Sequence, residues 1–325
     1  MLCRLFFCLL TAFFSGFLFA KETNHPITYR SDTRTFIPAY FELNTDKVLL
    51  DAPIGDVILQ SPLIKLKMNG RGPFVFMFDT GFSTTTISQE LAKTLNLHKV
   101  GKQKIKSTTP TQVVEVFQNI YVANTIEIGG VMIRDYAIVS NYNSGSEEQD
   151  FKKLKVDGVL SANAFYGLLF TLDYQNEKIH LERGDLLNKK GSLLSYAMVS
   201  DVPIIKAKIK FKNINKEVEQ RFILDTGSGT YFFVNACQIP EMLNFKEKEK
   251  LISYDYLHHE LKNYFVKLNG KISLSNEHEV NSPYITFGQT NCQLENPVGL
   301  IGRTFFEKNK VTIDQVNGLV KIEKY

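Results

Sequence analysis

The sequence predicts an all-β protein made of two copies of one unit, and three observations carry that prediction. Short apolar or alternating stretches are divided by frequent turn residues, with only brief helical patterns between them. An apolar run ends abruptly in Asp-Thr-Gly at Phe76-Met77-Phe78-Asp79-Thr80-Gly81, and again at Phe222-Ile223-Leu224-Asp225-Thr226-Gly227. Other segments return at a nearly constant offset. Pro62-Leu63-Ile64-Lys65 reappears 141 residues later as Pro203-Ile204-Ile205-Lys206, and Gly158-Val159-Leu160-Ser161 reappears at the same distance as Gly299-Leu300-Ile301-Gly302. Thr171-Leu172-Asp173 returns as Thr312-Ile313-Asp314, and Glu127-Ile128-Gly129-Gly130-Val131 as Lys267-Leu268-Asn269-Gly270-Lys271. The two Asp-Thr-Gly motifs are 146 apart, so the second copy carries about five extra residues, which fall in the polar stretch 212–220.

Taken in order, residues 1–20 read as a secretory signal. Arg4 starts it, 5–20 is apolar or small throughout, and Lys21-Glu22-Thr23 is abruptly polar, which places cleavage after Ala20. The alternative is an uncleaved anchor, for which a 16-residue apolar run is short. The prediction is an exported protein, periplasmic or secreted, with no stable membrane insertion after cleavage. Residues 21–46 are polar and irregular, an N-terminal arm or a short prosegment. Residues 47–187 form the first lobe, 188–192 the linker and 193–325 the second lobe.

Within the first lobe, Asn69-Gly70 marks a turn before the inward run to Asp79. Ser88 is the expected N-cap of a short helix over 88–93. Two strands over 102–122, turning at Ser107-Thr108-Thr109-Pro110-Thr111-Gln112, are the candidate mobile hairpin, with a plain surface hairpin as the alternative. A brief helical patch follows Ser161. In the second lobe Asn269-Gly270 carries a hairpin signal.

Composition excludes several functions. The 325 residues are 44% hydrophobic with a dispersed net charge of +4, and no basic stripe suits nucleic acid. No phosphate-cradling Gly loop and no Ser-His-Asp pattern occurs. His258-His259-Glu260 lacks the spacing of a helical zinc site, so neither a metal nor another cofactor is expected. Cys3 and Cys8 leave with the signal. Cys237 and Cys292 remain, either as one disulfide or as two unlinked buried thiols.

The chemistry rests on the two aspartates. Folding one half onto the other brings Asp79 and Asp225 face to face, and two carboxyls at about 3 Å cannot both ionise, so they share one proton. Asp173 and Asp314 also end apolar strands, but neither precedes Thr-Gly, and their repetition suggests turn caps.

On these motifs the chain resembles the aspartic peptidases, both pepsin-like and retropepsin-like. Each half has an apolar strand with Asp-Thr-Gly and, later, two apolar residues before a helical patch, as in Leu300-Ile301-Gly302-Arg303. The segment Val311-Thr312-Ile313-Asp314 looks like that of bacterial aspartyl protease family proteins. The resemblance implies a bilobal acid-protease fold, monomeric because both motifs share one chain, with a peptide or protein substrate in a cleft between lobes. It implies Asp79 and Asp225 as the catalytic pair. Thr80 and Thr226 would cross-brace the loops, Gly81 and Gly227 would let backbone N–H groups approach the carboxylates, and Ser228 would follow the second motif. Ser161 and Gly302 would lie on the loops behind the dyad. Two residues depart from the pattern: Ser161 stands where Gly is usual, and Phe82 where a small residue is usual. A non-catalytic peptide-binding protein on the same fold is the alternative. Tyr121 is the nearest tyrosine to the candidate hairpin, and a packed core position is the expectation for it.

Overall fold

The computed structural model describes residues 12–19, 29–30, 35–55, 61–108, 113–141, 155–189, 191–199, 202–254, 260–289, 292 and 298–325. The all-β prediction holds. The strands form a nine-stranded sheet in the first half, a ten-stranded sheet in the second and a six-stranded sheet drawn from both, with a small ladder between Tyr29–Arg30 and Thr35–Phe36.

Local sequence explains these strands. Lys47–Asp51 alternates exposed and buried residues, as a one-sided strand must. The motif strands behave differently. In Arg71–Asp79 and Lys216–Leu224 the exposed residues sit at the hairpin end, and the last residues run buried into the protein. Each Asp-Thr-Gly turn is thereby delivered to the interior.

Both halves use one wiring. Arg71–Asp79 runs parallel to Gly158–Ser161, which is antiparallel to Thr86–Ile87, which is parallel to Val131–Asn141. Lys216–Leu224 runs parallel to Gly299–Ile301, which is antiparallel to Phe232–Asn235, which is parallel to Tyr284–Gly288. Parallel pairings at the same two places make the duplication a property of the topology.

The halves join in the six-stranded sheet. Its order is Leu193–Ser195, Leu319–Lys324, Asn309–Asp314, Leu169–Asp173, Lys178–Glu182 and Lys47–Asp51. Thr171 lies opposite Thr312 in the central antiparallel pair, with their hydroxyl oxygens 2.8 Å apart. These threonines are repeat equivalents, so a local twofold axis passes between them. Asp173 and Asp314 cap the following turns, accepting from the backbone N–H and side-chain amide of Asn176 and Asn317 respectively.

Several expectations are met closely. Ser88 caps Gln89–Thr94, accepting from the Leu91 N–H at 3.0 Å. Asn69 and Gly70 both take positive φ in the tight turn before Arg71–Asp79. Tyr121 is buried in the main apolar core. His98–Thr108 and Val113–Ile128 form the expected hairpin ladder, while its tip, 109–112, lies outside the described residues. So do His258 and His259. Among the described residues no helix is long and apolar enough to cross a membrane.

Other expectations need correction. Asn269-Gly270 is not a hairpin tip. Glu260–Lys267 and Gly270–Ser273 face the same returning chain, with Lys267 opposite Tyr284 and Lys271 opposite Asn281. Gly270 serves close approach instead, since a Cβ there would lie 1.8 Å from the Lys210 carbonyl oxygen. The echo of 127–131 in 267–271 is therefore one of sequence, not of turns. The segment 21–46 is not irregular throughout. Tyr40–Leu43 pairs with Val131–Asn141, and Phe36 is in the core. Apart from these corrections, Ala12–Phe19 forms an edge strand antiparallel to His98–Thr108.

Cys237 and Cys292 are joined as a disulfide across a separation of 55 residues. In the chain-entropy picture a bridge of that span contributes about 4 kcal/mol. A Cys237→Ser, Cys292→Ser double variant should lose about that much stability in urea titration. A loss below about 1 kcal/mol would show that the bridge is dispensable.

Candidate active site

The two Asp-Thr-Gly turns are buried together and tied to each other. Thr80 donates its hydroxyl to the Leu224 carbonyl at 2.7 Å and accepts from the Thr226 N–H at 3.1 Å. Thr226 donates to the Phe78 carbonyl at 3.0 Å and accepts from the Thr80 N–H at 3.0 Å. Each threonine thus reaches the backbone of the opposite half. Four reciprocal hydrogen bonds, each worth about 0.5–1.5 kcal/mol net, lock the relative position of the turns.

This brace places Asp79 and Asp225 against one another, at 0% and 1% exposure. Each holds one oxygen by its own turn: the Gly81 N–H donates to Asp79 Oδ1 at 2.7 Å and the Gly227 N–H to Asp225 Oδ1 at 2.9 Å. The other oxygen of each, Oδ2, has no hydrogen-bond partner among the described residues. The glycines are required by proximity. A Cβ on Gly227 would lie 2.2 Å from Asp79 Oδ2, and one on Gly81 would lie 2.7 Å from Asp225 Cγ.

Burial dominates the electrostatics. It pushes the Asp79 carboxyl up to about 6, against the pull of the Gly81 N–H. Asp225 is raised well above the ordinary carboxyl range by burial and then by the Asp79 charge. The pair therefore takes its first negative charge with the second proton still held.

The two departures from the family pattern explain each other. Ser161 caps the helical turn Ala162–Phe165, donating to the Phe82 carbonyl at 2.7 Å and accepting from the Asn163 N–H at 3.1 Å. In the second half the Ser228 carbonyl, at the position of Phe82, is taken instead by the Arg303 backbone N–H at 2.7 Å. Gly302 cannot carry a side chain, because a Cβ would lie 2.5 Å from that same carbonyl oxygen. A serine hydroxyl in one half does the work of a backbone N–H in the other. Ser161→Ala would leave two buried groups unsatisfied and should cost about 1–3 kcal/mol in chemical denaturation. An unchanged midpoint would refute the exchange.

Phe82 does not crowd the carboxyls. At 9% exposure it packs with Met77, Val156 and Val159. The matching cluster of the second half holds Ile223, Val298, Leu300 and Phe233. Phe233 pairs with Leu300 where Thr86 pairs with Val159, so Thr86 and Phe233 are equivalent positions. The ring comes from Phe82 in one half and from Phe233 in the other.

Residues 64–164 match the family model described as aspartyl protease. That protease match includes Asp79, Thr80, Gly81, Phe82 and Ser161, and ends before the second motif. It supports an aspartyl protease family and a hydrolase acting on peptide bonds. No curated protein matches the chain.

Sequence reasoning missed several residues that hold this protease-like site. Thr85 accepts from the Ser161 N–H at 3.1 Å and pairs with the buried Tyr136 hydroxyl at 3.0 Å. Thr230 pairs with Ser228 at 3.0 Å, and Ser61 donates to the Thr226 carbonyl at 3.2 Å. A visible signal existed for Thr85: Ser83-Thr84-Thr85-Thr86 is a polar run, buried throughout, immediately after Asp-Thr-Gly-Phe.

Proposed function

We propose that the chain is an exported, monomeric aspartic endopeptidase with Asp79 and Asp225 as its catalytic dyad. The observation that carries this is the pair of buried carboxyls on cross-braced turns, each with Oδ1 fixed by a glycine N–H and Oδ2 unpartnered among the described residues. In this reading the ionised member of the pair takes a proton from a held water as that water attacks the peptide carbonyl. The protonated member donates to the carbonyl oxygen, and a proton then passes to the leaving nitrogen. No covalent intermediate and no metal enter these steps. The substrate lies between the halves as an extended peptide. Cleavage after Ala20 detaches Ala12–Phe19 and leaves His98–Thr108 as the sheet edge.

The test is cleavage of a diverse peptide mixture by purified 21–325 from pH 3 to 7, beside Asp79→Asn and Asp225→Asn, with and without a statine-type inhibitor. Cleavage abolished in both variants and by the inhibitor supports the dyad. A folded protein that cuts nothing across this range sinks the reading and favours a peptide-binding role on the same fold.

A further inference from the structure

The second half carries a groove of about 550 Å³ that the first half lacks the residues to build. Gly229 and Thr230, directly after Asp225-Thr226-Gly227-Ser228, form part of its wall. Thr230 is five residues beyond Asp225, so the wall begins within roughly 17 Å of the dyad, a distance an extended peptide covers in about five residues.

Its far side is aromatic, and its charged lining residues are Glu249, Lys250 and Lys308. Glu249 lies opposite Phe265 and so shares the ring face, whereas Lys250 lies opposite Tyr264 and takes the other face. Phe265 and Tyr284 stack face to face, with centroids 5.3 Å apart and planes at 3°. Both are open to solvent, at 37% and 54% exposure. Among the described residues this is the one ring pair in which both members are exposed. Lys308 sits over the Tyr231 ring at 4.6 Å, and Lys267 over the Tyr284 ring at 5.8 Å. Among the described residues no carboxylate pairs with Lys308, the lysine that sits over the Tyr231 ring.

The duplicated fold does not demand these residues. Phe265 lies opposite Thr286, which pairs with Phe233; Ile120 lies opposite Val139, which pairs with Thr86. By that register Phe265 corresponds to Ile120 and Tyr284 to Ala137. Ile120 and Ala137 are both buried and aliphatic. Where the first half closes its surface, the second exposes a ring stack. Such a surface disfavours folding alone and suits a ligand that covers it.

We propose that this groove is a substrate subsite that takes an aromatic side chain lying a fixed few residues from the scissile bond, with an acidic neighbour meeting Lys308. The assignment rests on the endopeptidase reading above and names the class of peptide preferred. An aromatic ring extends the Phe265–Tyr284 stack, and Lys308 favours Asp or Glu on its side of the groove, away from Glu249.

The experiment maps the cut sites of a peptide library, then compares two fluorogenic peptides, one with Glu-Tyr at the inferred position and one with Lys-Ala. Enrichment of aromatics at one fixed distance from the cut is expected, with an acidic neighbour and about a ten-fold lower KM for the Glu-Tyr peptide. Tyr284→Ala should erase that ten-fold preference, and Lys308→Glu should remove its acidic component. Cut sites with no aromatic preference at any fixed distance would overturn the proposal, as would a preference that survives Tyr284→Ala. If the protein cuts no peptide, the endopeptidase reading fails separately. The groove is then read by fluorescence anisotropy of the same Glu-Tyr peptide. Binding weakened about ten-fold by Tyr284→Ala retains the groove as an aromatic-acidic peptide site, and no binding overturns it.

Discussion

Asp79→Asn is expected to abolish peptide cleavage and, near neutral pH, to stabilise the protein. The loss of rate should be about 10²–10⁴-fold, the range for removing a positioned acid or base. The gain in stability follows from burial. Burial pushes the Asp79 carboxyl up to about 6, from an ordinary value of 3.8. A carboxyl whose pKa is raised by folding binds its proton more tightly in the native state. Its ionisation therefore destabilises the fold progressively as pH climbs from about 4 to about 6, and the full penalty is present above that. Two units correspond to about 3 kcal/mol as an upper figure. Asparagine keeps an oxygen for the Gly81 N–H and has no charge to desolvate. Urea titrations of the parent and variant at pH 4 and pH 7 should nearly coincide at the lower pH and separate at the higher, with the inactive variant the more stable. A variant less stable at pH 7 would mean that the carboxyl is held in the fold by interactions outweighing its burial.

Gly227→Ala should be the most damaging small substitution in the site. The added methyl would lie 2.2 Å from Asp79 Oδ2 and 2.8 Å from its Cγ. Asp79 has no free space to retreat into, since it is fully buried and its Oδ1 is held by Gly81. Either the carboxyl turns away or the two turns part, and both outcomes break the face-to-face arrangement. Activity should fall at least about 100-fold, a typical consequence of a 1 Å misplacement, with about 1–3 kcal/mol lost to overpacking. Gly130→Ala is the control, because its nearest contact would be an ordinary 3.5 Å, to Val48. Retention of full activity by Gly227→Ala would remove the geometric basis of the dyad.

Much of this arrangement was legible because it depends on short, local patterns. The inward strands are apolar runs, and the turns are Asp-Thr-Gly. Ser88 sits where an orphan N–H needs it, and the repeat offset pairs Thr171 with Thr312. What escaped the sequence is what depends on neighbours far along the chain. Ser161 looked like a defect until its hydroxyl was seen on the Phe82 carbonyl. Phe82 departs from the pattern in the sequence, and only the fold shows Phe233 filling the matching place. Asn269-Gly270 has the composition of a hairpin turn, yet its glycine answers to the passing backbone of Lys210. Phe36 and Tyr40–Leu43 sit in a polar stretch whose few apolar residues found the core and the sheet edge.

The contact between Thr171 and Thr312 has a consequence for the molecule's symmetry. Residues 141 positions apart meeting each other is the signature of an isologous interface, in which one patch meets its own copy, here written within a single polypeptide. Neither half completes the shared sheet by itself. The first half alone would present Leu169–Asp173 as an unsatisfied edge whose complement is a strand of its own kind. A separated half-chain thus carries the instructions for a homodimer, and covalent linkage frees the two copies to diverge. The serine in one half opposite glycine in the other, and the aromatic groove on one side alone, are the divergence that a symmetric dimer could not have accommodated.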